Sequence, residues 1–328
     1  MNGLTRDNPL LSKPTMGLNL TAGPVAFDSR NGVEGLVADY VRASVSANTR
    51  LAYMSDLRQF ELWGGQIPAS PEIVASYLAS QADTLSVATL VRRLAAITKA
   101  HRSQGLASPT TTEIVKATMR GIKRTQGTSQ HQSKPLLRED LFLALDSMKD
   151  RPKDLRDRAL LLIGFAGGFR RSELVGLDRA DIESVREGLI VTLRRSKTDQ
   201  EAVGRKIGIP FGRTRHCPVT ALNAWLTVSQ IEKNPIFRPI DRHGNVQSAR
   251  LSGNAVSQIV RERVAAAGID PSNFSGHSLR AGFATSAAKA GVSTLKIRSQ
   301  TGHSSDAMLA RYIRDGELFA DNAAGALL

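Results

Sequence analysis

Between Arg124 and Pro135 the chain reads RTQGTSQHQSKP, twelve residues without one large apolar side chain. A stretch this polar cannot run through a hydrophobic core, because its backbone and side-chain groups would lose water without gaining partners. It predicts a linker over 124–135 joining two folded units. With 328 residues and 41% hydrophobic side chains, the chain can furnish each unit with its own core. Residues 1–30 mix Pro, Gly, Asn and Thr without apolar periodicity and are expected to form a mobile tail.

Residues 31–123 carry helical periods and no strand alternation. Asn48 or Thr49 is expected to cap a helix bearing Leu51, Met54, Leu57, Phe60 and Trp63. Ser70-Pro71-Glu72 pairs a hydroxyl cap with proline at the first helical position, and Ile73, Val74, Tyr77 and Leu78 follow. From Ser86 to Gln104 the apolar stripe is Val87, Leu90, Val91, Leu94 and Ile97, with Arg92, Arg93, Lys99 and Arg102 largely off it and Gly105 as a stop. Thr112 to Lys123 completes an all-helical unit.

The second unit, 136–328, opens with an amphipathic helix from Leu136 to Met148. The next helix, Asp154 to Phe169, is apolar all round in its middle and hence buried. Gly188 to Arg195 and Val203 to Pro210 read as a hairpin closed by the polar SKTDQEA. Helices return at about 220–229, 252–267, 278–290, 293–300 and 304–314. The fold class is therefore mainly α with a small β-sheet.

Charge speaks to partners. Forty-four Lys plus Arg against thirty Asp plus Glu give a net +14, a balance that suits a polyanion, most commonly nucleic acid. From Lys99 to Arg138 there are eight Lys or Arg against one acid, Glu113. A hinge lined with cations suits a chain that wraps a polyanion. The longest apolar run, Ala159 to Phe169, is eleven residues, short of the ~18 a membrane span needs. One cysteine, Cys217, excludes an internal disulfide and a multi-cysteine zinc site. A soluble, cytoplasmic protein with no membrane partner is expected.

There is no GxxxxGK[ST], no HExxH, and no dense carboxylate cluster of the kind a two-metal nuclease needs. Backbone chemistry on a nucleic acid would then use a side-chain nucleophile and protein cations, with no cofactor. The second unit offers Arg170 in GGFRRSEL, Lys197 in RRSKTDQ, His277 and Arg280 in HSLR, His303 in TGHSS and Tyr312 in ARYIR. Tyr312 is the only tyrosine after Tyr77. A phenol with an ordinary pKa near ~10 attacks phosphorus only if its proton leaves, and nearby cations favour phenolate while neutralising the phosphoryl oxygens. Arginine grips two such oxygens, histidine exchanges protons near neutrality, and lysine can protonate a departing oxygen. Spacing alone does not choose between Arg170 and its neighbour Arg171.

Taken together, GGFRRSEL, SKTDQ, SGHSLRAGFAT, TGHSS and ARYIR resemble the tyrosine recombinase (phage integrase) family. The likeness covers roughly Asn48 to the C-terminus and is strongest after Asp154. SGHSLRAGFATSAAKAGVST and YIRDGELFADNAAGALL look most like the Cre-type branch. The recombinase that names the branch has tryptophan where this chain has His303, so here the chain follows the wider family.

The resemblance implies that Tyr312 attacks the phosphate and becomes joined to a 3′ phosphate. It implies that Arg170, chosen because GFRRSEL looks like the family pattern, and Arg280 clamp the nonbridging oxygens. Lys197 becomes the general acid, His277 and His303 assist by proton transfer and hydrogen bonding, and Glu173 supports the site. It further implies a helical core-binding domain and a catalytic domain closing as a clamp on double-stranded DNA with a specific target site. The protein is expected to be a monomer or weak dimer when free and a homotetramer on paired sites. Leu318 to Leu328 docks either on a neighbouring protomer, as in the family, or on its own domain.

Arg92, Arg93 and Lys99 on one helix are expected to face a DNA groove, and Asn254, Gln258 and Arg261 on another to meet base edges or phosphates. The function expected is site-specific recombination through a 3′-phosphotyrosyl intermediate. The rivals are a type IB topoisomerase, a telomere resolvase, or a catalytically silent DNA-binding regulator.

Overall fold

The computed structural model describes residues 33–128, 133–194 and 204–303, together with Ser305, Leu309, Ala310 and Tyr312. Lys197 and its hairpin loop, the tail 1–30, most of 304–314 and the final stretch 318–328 lie outside the described residues. The chain divides into two compact units, one ending at Gln130 and the other beginning at His131. Among the described residues no helix is long and apolar enough to cross a membrane.

The first unit contains helices α1 (Val33–Ala43), α2 (Ala47–Trp63), α3 (Pro71–Gln81), α4 (Val87–Ser103) and α5 (Glu113–Gln126). Ser70 caps α3 as its position predicts, and Ser86 caps α4 in the same way, accepting from the backbone N–H of Ile73 and Thr89 respectively. The cap of α2 is Ser46 rather than Asn48 or Thr49; its hydroxyl accepts from Thr49 N–H at 3.2 Å. Helix α5 runs three residues into the expected linker, because nothing breaks it before Gly127, which sits at φ 74°. Phe60, Tyr77, Leu78, Leu90, Ile97 and Met119 form the core.

Helix α4 departs from its predicted orientation. Its buried face carries Leu90, Arg93, Ala96, Ile97, Ala100 and His101, whereas Val91 is exposed. Arg93 is thus not a groove-facing side chain: it is only 8% exposed and holds Tyr77 Oη and Gln81 Oε1. The cause is Asp56 on α2, a carboxylate 3% exposed, which cannot stay ionised in the core without cations. Arg92 takes it in a two-pronged grip at 2.8 and 2.9 Å, and Arg93 Nε lies 3.8 Å away. Arg92 stays half exposed, but its guanidinium fork is committed to Asp56. Lys99 is exposed, as expected.

In the second unit the elements are α6 (Arg138–Asp146), α7 (Pro152–Ala166), α8 (Arg171–Gly176), β1 (Ile182–Val185), β2 (Gly188–Leu193), β3 (Arg205–Pro210), α9 (Pro218–Ser229), α10 (Gly253–Ala266), α11 (His277–Lys289) and α12 (Thr294–Thr301). The strands form one antiparallel sheet ordered β1-β2-β3, with Val191 opposite both Ile182 and Ile207, and Leu189 opposite Ile209. The hairpin was legible. Strand β1 was not, since IESV is four residues long with apolar side chains only at its ends. Helix α7 is the central buried element, packed against α9 and α11.

Helix α7 also brings charge into the core. Asp157 is fully buried; Arg156 Nε and Nη2 donate to its Oδ1, and Arg263 Nε and Nη2 from α10 donate to its Oδ2, all within 2.8 Å. Asp157→Ala would leave Arg156 and Arg263 as buried cations without this carboxylate. The expected loss is about 3–5 kcal/mol of stability, read by denaturant unfolding, and a loss under ~1 kcal/mol would contradict it.

Candidate active site

Four segments of the second unit meet at one place: the turn before α8, the start of β3, the start of α11, and the end of α12 with the residues after it. Arg170 caps α8 from outside the helix, and Glu173 accepts its backbone N–H at 2.9 Å through Oε2. Through Oε1 the same carboxylate accepts Arg170 Nη1 at 2.6 Å. Arg170 Nη2 then reaches across to donate to Gly302 O at 3.2 Å.

Arg280 lies one turn into α11 and is only 1% exposed. Its Nη1 donates to Gly168 O at 2.8 Å and to Thr301 O, while its buried Nη2 makes no hydrogen bond among the described residues. Arg280 and Arg170 thus rest on consecutive carbonyls, those of Thr301 and Gly302, which sets their guanidinium groups side by side. Burial first, then Arg170, pulls the Arg280 pKa down to about 10, so the group remains a cation at neutral pH.

Two glycines permit this close approach. Gly168 has φ +58°, and a Cβ there would lie 2.9 Å from the Thr301 methyl. Gly302 has φ +66°, and a Cβ there would run into the Arg205 guanidinium. The glycines in GGFRR and TGHSS are therefore spacers that let cationic side chains crowd the backbone.

His277 opens α11, and its Nε2 lies 2.6 Å from Tyr312 Oη. The phenol ring sits between two imidazoles, 6.1 Å from His277 and 5.6 Å from His303 by ring centres. It packs against Ala284, Ala288, Ile297 and Leu309, and Thr285 Oγ1 donates to its backbone carbonyl at 3.3 Å. The crowding of protein atoms around His277, followed by the charges of Arg280, Arg170 and Arg171, lowers its pKa below the ordinary histidine value. His303 is 6% exposed, and its pKa is pushed down to about 3 by burial and then by Arg280 and Arg170. Both imidazoles are neutral at pH 7, so His277 Nε2 can accept the phenolic proton.

Of the residues singled out from sequence, Arg170, Glu173, His277, Arg280, His303 and Tyr312 converge here. Arg171 is separated from Arg170: it is exposed and turns toward Gly253 and Gly276, at the starts of α10 and α11. Lys197 lies outside the described residues. Asn254, Gln258 and Arg261 are all exposed, at positions that share one face of α10, while Ser257 on its inner side accepts Gly276 N–H at 3.0 Å.

Two residues escaped the sequence reading. Arg205 opens β3 with Nη2 3.5 Å from Glu173 Oε2, and burial, with Arg170 nearby, lowers its pKa. A signal for it existed: Arg205 shares strand parity with the buried Ile207 and Ile209, so it faces inward. Thr301, fully buried, carries no such signal in the sequence.

Residues 134–317 match the phage integrase family. The chain is 40% identical to the integrase/recombinase XerD homolog of Selenomonas ruminantium over 85% of each chain. It is 27% identical to the recombinase Cre of Escherichia phage P1 over 96% of each. Among solved structures, a lambda integrase tetramer bound to a Holliday junction superposes with a TM-score of 0.58 at 19% identity, over 86% of this chain and 77% of that one. The motif order, the convergence of those motifs in space and the extent of these matches agree, and the chain belongs to the phage integrase family, the tyrosine recombinases.

Proposed function

We propose that the protein is a site-specific recombinase of double-stranded DNA that cuts and rejoins strands through a 3′-phosphotyrosyl intermediate, drawing on neither metal nor nucleotide. The observation that carries this is the 2.6 Å contact between Tyr312 Oη and His277 Nε2 beside two crowded arginines. His277 takes the phenolic proton as Tyr312 Oη attacks phosphorus. The new O–P bond forms as the bond to the 5′ oxygen breaks, and Lys197 supplies the proton that oxygen needs. Arg170 and Arg280 Nη2 neutralise the charge that builds on the nonbridging oxygens. Because a phosphodiester replaces a phosphodiester, the reverse attack by a 5′ hydroxyl rejoins DNA without another energy source.

Exposed Lys99 and the α10 line of Asn254, Gln258 and Arg261 are the residues we assign to DNA contact. We extend to this chain a homotetramer on paired sites, the assembly in which lambda integrase is seen on its junction. The same chemistry serves a relaxing topoisomerase. Circular DNA carrying two copies of a site selected from a random pool separates the two: recombinant circles support exchange, and relaxation alone supports the rival.

A nicked substrate that traps the adduct tests the acid–base assignment. Protonated His277 cannot accept from Tyr312, so the rate of adduct formation falls as pH drops through the His277 pKa. That pKa is lowered, so the acid limb should lie below the ordinary histidine value of ~6.5. A midpoint at or above that value would remove His277 as the acceptor.

A further inference from the structure

Arg205 is a cation that none of the sequence motifs marked, and the protein engages it poorly. It opens β3 on the same side as the buried Ile207 and Ile209, and 22% of its side chain is exposed. Nη2 donates to Glu173 Oε2 and Nη1 to Ser299 O, both at 3.5 Å. A well-made N–H···O bond spans ~2.9 Å, so both contacts are weak. Its buried Nε makes no hydrogen bond among the described residues. Arg170, by contrast, holds Glu173 Oε1 at 2.6 Å and Gly302 O at 3.2 Å.

Shared anchors bring these arginines together. Arg205 and Arg170 both reach the Glu173 carboxylate, and Arg205 stands so close over Gly302 that a Cβ there would collide with its guanidinium. Gly302 O seats Arg170, and its neighbour Thr301 O seats Arg280. Three guanidinium groups thus gather around two consecutive residues. Among the described residues the carboxylate paired with them is Glu173 alone. With both imidazoles neutral, the described site carries a surplus of two positive charges. Crowding like charges costs stability, and an entering anion recovers that cost. A phosphodiester carries one negative charge, and attack by the deprotonated phenol adds a second. Glu173 largely balances Arg170, so Arg280 alone matches the resting phosphate. Matching the transition state takes one cation more.

We propose that Arg205 is a third catalytic arginine, which donates to a nonbridging oxygen of the scissile phosphate and supplies the second positive charge of the transition state. This rests on the strand-transfer reaction proposed above. The long bonds to Glu173 and Ser299 are ones that Arg205 exchanges for phosphate at little cost. Its guanidinium is always charged and offers five N–H donors, enough to keep one hold on Glu173 while gripping an oxygen.

Arg205→Met keeps a packed stem and removes the charge, and Arg205→Gln serves in its place if a thermal melt shows the first variant unfolded. Each full-length protein is given two nicked duplexes, one ordinary and one with a neutral methylphosphonate at the scissile position. On the ordinary duplex the variant should form adduct roughly 10²-fold more slowly than wild type, with DNA affinity within ~3-fold. On the methylphosphonate, where one negative charge is gone, the two proteins should react at rates within ~3-fold of each other. An equal deficit on both duplexes overturns the proposal, as does a variant as fast as wild type on the ordinary one. So does rescue by a methylphosphonate at a flanking phosphate instead of the scissile one. A Glu173→Gln background separates direct contact from an effect on Arg170: the Arg205 substitution should still slow the reaction there, and no further slowing would mean that Arg205 acts only through Glu173. If the wild type forms no adduct at all, the strand-transfer reading fails. Binding then decides the contact, since the scissile methylphosphonate should weaken wild type more than the variant, and equal weakening overturns it.

Discussion

Tyr312→Phe should bind its DNA with unchanged affinity and form no covalent adduct. Phenylalanine keeps the ring that lies between His277 and His303 and packs on Ala284, Ala288, Ile297 and Leu309. Only Oη is removed, the atom 2.6 Å from His277 Nε2. No other tyrosine follows Tyr77, so the described second unit offers no phenol to take its place. The expected fall in adduct formation is ~10⁴-fold or more, the scale on which loss of a nucleophile is felt in other enzymes. The assay is a nicked duplex resolved on a denaturing gel, with affinity measured on the same duplex. An adduct from the Phe variant at a rate near wild type would assign the nucleophile elsewhere.

Arg280→Lys should leave the fold standing and cut adduct formation by roughly 10²–10³-fold, the cost of losing one preorganised group at a developing charge. The charge is retained, so a simple Coulombic role predicts little change. Geometry predicts otherwise. The guanidinium spans Gly168 O and Thr301 O with Nη1 and, among the described residues, keeps Nη2 free of hydrogen bonds in a buried setting. An ammonium on a flexible stem cannot bridge both carbonyls and still offer a fixed donor to phosphate. The fall should appear in the single-turnover cleavage rate, with DNA affinity changed only a few-fold and a thermal melt confirming a folded variant. Equal losses in rate and affinity would make Arg280 an ordinary phosphate contact.

Much of the fold was written in local pattern. Ser70-Pro71 and Ser86 stand at the starts of α3 and α4, and the hairpin β2–β3 follows its β-branched runs. Those signals are local because caps and strand alternation are satisfied within a few residues. The rotation of α4 was not legible. Arg93 looked like a surface cation and is buried, because Asp56, thirty-seven positions earlier, is itself buried and requires it. No local pattern on α4 carries the demand of a carboxylate on α2. Arg205 and Thr301 escaped for the same kind of reason, since each acquires its chemistry from partners on other elements, Glu173 for one and His303 for the other.

The candidate site divides along the same line. Residue types and their order along the chain were enough to single out Arg170, His277, Arg280, His303 and Tyr312, because attack on a phosphodiester needs a nucleophile, proton carriers and fixed cations of those kinds. The likeness of GFRRSEL to the family pattern chose Arg170 over Arg171, whereas the seating of two guanidinium groups on the carbonyls of Thr301 and Gly302 and the neutrality of both histidines belong to the tertiary structure. A side chain's identity is set by its codon, but its pKa and its hydrogen-bond partners are set by what the fold packs around it. Those neighbours come from segments more than a hundred residues apart.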